Sequence, residues 1–87
     1  MRDSLYYLSQ MKTGERIKEL CDKKKIGIKV IVKYLSISER SVYSWFNGDK
    51  LPTIDNLYLL SVLLNVTMDD LLVGYETEAW WCLYEPL

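Results

Sequence analysis

Apolar residues recur along this chain at spacings of three and four, and no stretch alternates apolar with polar long enough for a sheet. The pattern predicts five short helices within residues 12–74. The first runs from about Thr13 to Lys24, with Ile17, Leu20 and Cys21 on one face. Lys23, Lys24 and Lys25 sit at its C-terminal end, where the helix dipole favours cations, and Gly27 is expected to break it. The second spans about Ile28 to Leu35, with Ile28, Ile31, Val32 and Leu35 forming a stripe at i, i+3, i+4 and i+7. So short and β-branched a helix must be held by tertiary packing.

Ser36-Ile37-Ser38 reads as a tight connection, with Ser38 as N-cap of a third helix from Glu39 to about Asn47. Val42, Trp45 and Phe46 face inward there, and Asn47-Gly48 ends the helix. Pro52 disfavours helix just before it, and Thr53 caps a fourth helix from Ile54 to about Leu64. Leu57, Leu60, Ser61 and Leu64 are its inner stripe, widened by Leu63. Thr67-Met68-Asp69-Asp70 reads as a capping box with Asp in place of Glu. Val66 and Leu71 form a hydrophobic staple, Leu71 and Leu72 enter the core, and Gly74 closes this fifth helix.

Composition narrows the function. With 87 residues the chain makes one small domain. Histidine is absent, so no His-based catalytic triad or zinc site can be assembled. Cys21 and Cys82 make no metal spacing and are too few for a disulfide scaffold. No apolar run has the length of a membrane span, and the first ten residues lack the pattern of a signal peptide. The expectation is a reduced cytoplasmic protein without catalytic constellation, cofactor, metal or membrane association, in which Asn65-Val66-Thr67 carries no glycan.

Charge is segregated. Residues 12–50 hold ten basic and five acidic side chains, a net +5, whereas residues 51–87 hold six acids and no Lys or Arg. A basic half beside an acidic half is one footprint of a polyanion binder, and a solvated helix face is the plainer alternative. The segment Ile28–Asn47 decides between them. Two short helices, each apolar on one face, meet through three residues, which describes a helix-turn-helix whose second helix lies in a major groove about 12 Å wide. Glu39, Arg40, Tyr43 and Ser44 put hydrogen-bonding groups on the outer side of that second helix.

Residues 11–73 resemble the lambda-repressor-like helix-turn-helix domains of the Cro or XRE family. The resemblance rests on GERIKEL at 14–20, YLSISERSVYSWFNGDKLPTIDNLYLLSVLLNV at 34–66 and TMDDLL at 67–72, in order, over roughly three-quarters of the chain. It implies an all-α, compact five-helix domain that binds double-stranded DNA, usually as a homodimer on a palindromic operator. Carried over residue by residue, Glu39, Arg40, Tyr43 and Ser44 take the base-contacting positions. Arg40 matches a bidentate contact to guanine or a phosphate contact, Glu39 an acceptor for cytosine or a charge at the helix start, and Tyr43 a thymine methyl or a phosphate. Ile28, Lys29, Ser41, Asn47 and Lys50 fall at phosphate-contacting positions, Ile28 and Lys29 through the amides that open the second helix. Three departures are visible. Ile28 stands where the family often has Gln, Val32 where a small residue is common, and Ser36 where the turn usually has Gly.

The expected organisation is an extension at 1–10, a helix-turn-helix domain at 11–74 and an aromatic tail at 75–87, with Met11 as a natural start for the family. Trp80, Trp81, Leu83 and Tyr84 give the tail three readings: packing on the chain's own helices, a dimer or protein-partner interface, or a small-molecule pocket. The sequence thus predicts a DNA-binding transcriptional regulator, a repressor in the first instance. Its rival is an antitoxin or regulatory module that grips a protein through the tail.

Overall fold

The computed structural model describes residues 5–77, with side chains described from Tyr7 to Gly74. Five helices follow in order: α1 (Gln10–Lys23), α2 (Ile28–Leu35), α3 (Glu39–Phe46), α4 (Ile54–Leu64) and α5 (Met68–Leu71). Their inner stripes meet in one core. It is built from Ile17 and Cys21 of α1, Ile31 and Leu35 of α2, Val42 and Trp45 of α3, Leu57, Leu60 and Leu64 of α4, and Leu71 of α5. Ile28, Val32, Phe46, Leu63 and Leu72 pack against this core but stay half-buried, so the expected stripes are slightly narrower than their spacing suggests.

Most helix ends obey the capping chemistry read from the sequence. Ser38 Oγ accepts from the Ser41 N–H and Thr53 Oγ1 from the Asn56 N–H. The capping box is complete: Thr67 Oγ1 accepts from the Asp70 N–H and Asp70 Oδ2 from the Thr67 N–H, both at 3.1 Å. Both ends of α1 differ from expectation. Helix α1 starts at Gln10, not Thr13, because Ser9 Oγ accepts from the Lys12 N–H at 3.1 Å and adds most of a turn. Its far end is closed by Lys25 (φ 59°), not Gly27: Ile26 N–H reaches back to Cys21 C=O and Lys25 N–H to Asp22 C=O.

The sheet-free expectation also needs correction. β1 (Leu5–Leu8) pairs antiparallel with β2 (Gly74–Thr77), Leu8 opposite Gly74 and Leu5 opposite Thr77. Gly74 therefore opens a strand instead of closing α5, which stops at Leu71. Each strand has four residues, too few for a period-two signal, and the whole helical domain separates them in sequence. Tertiary contacts bring them together. Ser9 N–H donates to the Val73 carbonyl at 2.8 Å. The fully buried Thr13 hydroxyl donates to that carbonyl at 3.3 Å and accepts from the Val73 N–H at 3.0 Å.

Cys21 lies within the core at 2% exposure, and burial, reinforced by nearby Asp22, pushes its thiol from an ordinary 9.0 to about 11. The folded chain keeps this proton while the unfolded chain releases it, so stability is lost as pH rises above about 9. At pH 8 the Cys21 peptide should be alkylated at least about 100-fold more slowly in the native protein than in denaturant, as peptide-mapped labelling would read. Comparable rates in both would mean that the thiol is not held in the core.

Candidate nucleic-acid interface

The helix-turn-helix stands on a backbone strain that the sequence only hinted at. Ser36 ends α2 in the left-handed region, φ 57° and ψ 48°, and Ile37 then turns inward against the core. That conformation costs a non-glycine residue roughly 1–2 kcal/mol. Ser36→Gly should therefore raise stability by about 0.5–1 kcal/mol after the entropy that glycine adds to the unfolded chain. A thermal melt should rise by a few degrees; an unchanged or lower midpoint would mean that Ser36 is held by something other than this backbone geometry.

Val42 and Trp45 anchor α3 inward, which aims the opposite side at solvent. Glu39 and Arg40 are exposed and Tyr43 is 49% exposed, its ring edge-on to Phe46 at 6.5 Å. Ser44 is half-buried, and its hydroxyl donates to the Ser41 carbonyl at 2.6 Å, leaving its lone pairs as acceptors. The base-facing candidates thus share the outer side of α3, but only three of the four extend freely from it.

The phosphate candidates divide differently. Arg40, Ser41, Ser44 and Lys50 line one cleft of about 250 Å³ beside α3. Its far wall comes from Thr53 and Asn56, at the start of α4. The sequence identifies Thr53 as a cap and gives Asn56 no role. The detectable signal was a polar cap and amide directly after the Lys50-Leu51-Pro52 loop. Two cations with hydroxyl and amide groups in one concavity suit an anion. Lys29 is exposed on α2, outside that cleft, and Asn47 is exposed at the end of α3. The Ile28 side chain is half-buried against the core, so only its backbone N–H is available to a phosphate. Gly27 supplies no capping side chain to the amides that follow. Tyr43 borders a separate groove of about 240 Å³ with Ile26, Ile28 and Phe46.

Two close approaches fix where α3 sits. A Cβ on Gly14 would lie 1.9 Å from the Trp45 carbonyl oxygen, so α1 meets the α3 backbone directly. Gly48 follows α3 at φ 80°, and a Cβ there would lie 2.8 Å from Met11 Cα. Helix α3 is therefore registered against α1 at both points.

Trp80, Trp81, Leu83 and Tyr84 lie outside the described residues. Among the described residues no three His, Cys, Asp or Glu side chains are grouped to hold a metal, and no helix is long and apolar enough to cross a membrane.

A family model described as helix-turn-helix, of the Cro/C1 type, matches residues 17–71. Among solved structures, the chain is similar to the restriction-modification controller protein C.AhdI from Aeromonas hydrophila. Identity is 19%, the match covers 71% of this chain and 94% of that one, and the TM-score is 0.65, a likeness of fold. No curated protein matches the chain.

Proposed function

This chain belongs to the Cro/C1-type helix-turn-helix family, and from that premise we propose that it is a sequence-specific regulator of transcription that acts as a dimer on double-stranded DNA and represses by occupying its operator. The observation that carries the reading is the outer side of α3, where Glu39, Arg40 and Tyr43 stand exposed beside a cleft holding Arg40 and Lys50. In a major groove this side meets base edges while the cleft meets the sugar-phosphate backbone. Arg40 pairs with guanine, Glu39 accepts from a cytosine amino group, Tyr43 packs on a thymine methyl, and Ser44 serves as a short acceptor. Ser41, Asn47 and Lys50 hold phosphates, joined by Thr53 and Asn56. The opening amides of α2 with Lys29 hold another. The likeness to a restriction-modification controller protein supports a regulatory role. Trp80, Trp81, Leu83 and Tyr84 are proposed to join copies of the chain or to receive a protein partner.

Fluorescence anisotropy against duplex from the gene's own upstream region, with scrambled duplex beside it, tests this. Binding should prefer the upstream duplex and weaken steeply with salt, with a log–log slope near −0.9 per phosphate neutralised. A folded protein that binds neither duplex at low salt would sink the proposal.

A further inference from the structure

One side chain from upstream of the family match, Gln10, reaches the loop beside the DNA-facing cleft. It opens α1, ahead of the matched residues 17–71. Ser9 ties that first turn down on two sides: its hydroxyl accepts from the Lys12 N–H, and its own N–H donates to the Val73 carbonyl at 2.8 Å. From there the Gln10 amide nitrogen stands 3.2 Å from the Gly48 carbonyl oxygen and 3.3 Å from that of Asp49, in the orientation that sets nitrogen, not oxygen, against the two acceptors. Both its N–H groups therefore donate to successive carbonyls of one loop. Beside it, the Met11 Cα closes on Gly48, 2.8 Å from where a Cβ would stand. Helix α3 holds the same loop from the other side. The Ser44 carbonyl accepts from the Asp49 N–H at 2.9 Å and from the Lys50 N–H at 3.2 Å.

We infer that Gln10 is a positioning residue for the phosphate contact of Lys50, an inference that rests on the DNA-binding reading. Residues 48–50 run between the last turn of α3 and the first turn of α1, with N–H groups turned to one and carbonyls to the other. Lys50 leaves this clamped segment to line the cleft with Arg40, Ser41 and Asn56. A lysine is a point charge on a flexible stem, and ordering it on a phosphate costs less when the backbone beneath it is already fixed. Both Gln10 donors are engaged by carbonyls, so it acts through the loop and not on the phosphate itself.

Gln10→Met keeps the length, neutrality and helix preference of the side chain and removes both donors. In the parent chain it should weaken binding to the upstream and the scrambled duplex alike, by about three- to tenfold, and lower the salt slope toward that of Lys50→Ala. In the Lys50→Ala background the same change should cost less than about 1.5-fold, since the two residues act as one unit. Without DNA, hydrogen exchange at the Asp49 and Lys50 amides, read by NMR, should quicken at least about threefold. The thermal midpoint should stay within a few degrees, because Gln10 is exposed and outside the core. Equal losses with and without Lys50, an unchanged salt slope, or unchanged exchange at Asp49 and Lys50 would each overturn the inference and leave the regulator reading intact. A parent chain that binds neither duplex would sink the regulator reading and take the phosphate role of Gln10 with it.

Discussion

Gly14→Ala should destabilise the domain by about 3 kcal/mol or more, with loss of roughly 15 °C in thermal midpoint. In an isolated helix the same change would be favourable, because alanine is the better helix former. Here the added methyl would stand 1.9 Å from the Trp45 carbonyl oxygen, 3.0 Å from its carbonyl carbon and 3.3 Å from the Phe46 carbonyl oxygen. None of these atoms belongs to a flexible side chain, so α1 and α3 would have to separate along their crossing. Trp45 and Ile17 would lose contacts with the same core, and small domains hold only about 5–15 kcal/mol in total. Gly27→Ala is the internal comparison, since no heavy atom lies within 4 Å of a Cβ there and only a capping preference of about 1 kcal/mol is at stake. A Gly14→Ala midpoint within a few degrees of the parent would show that the two helices are not in backbone contact.

The second large effect concerns DNA. Arg40→Ala should cost about 1–3 kcal/mol per half-site on the preferred duplex, about 5- to 150-fold for each copy bound, and much less on scrambled DNA. A bidentate guanidinium contact discriminates between bases because the wrong base leaves its donors unpaired. Lys50→Ala should behave differently, weakening both duplexes alike and reducing the salt slope by about one. Arg40 is exposed and outside the core, so its loss should leave the melt nearly unchanged. Equal losses on both duplexes in Arg40→Ala would reassign it to the phosphates of the cleft it lines with Lys50.

The helices were legible in the sequence because most of them state their own ends and their inner face, although both ends of α1 and the end of α5 lie elsewhere than local chemistry suggests. Ser38, Thr53 and Thr67 are caps written in local chemistry, and the inner residues of α2 through α5 follow helical spacing. The exposed positions of α3 were legible for the same reason, since burying Val42 and Trp45 leaves Glu39, Arg40 and Tyr43 outside. Other features depend on residues far apart in the chain. The β1–β2 ladder pairs segments from the two ends of the helical domain, next to the bonds from Ser9 and Thr13 to Val73. Thr53 and Asn56 join Arg40 at a cleft only because α4 starts beside α3. Gly14 and Gly48 gain their meaning from backbone that approaches from another element. Sequence by itself determined the existence of the helices, the caps of α3, α4 and α5 and the side of α3 left to solvent, since those are set by neighbours within about one helical turn. Tertiary structure alone decided the strand pairing and the composition of the cleft, because each depends on which surfaces the packed core leaves touching or bare.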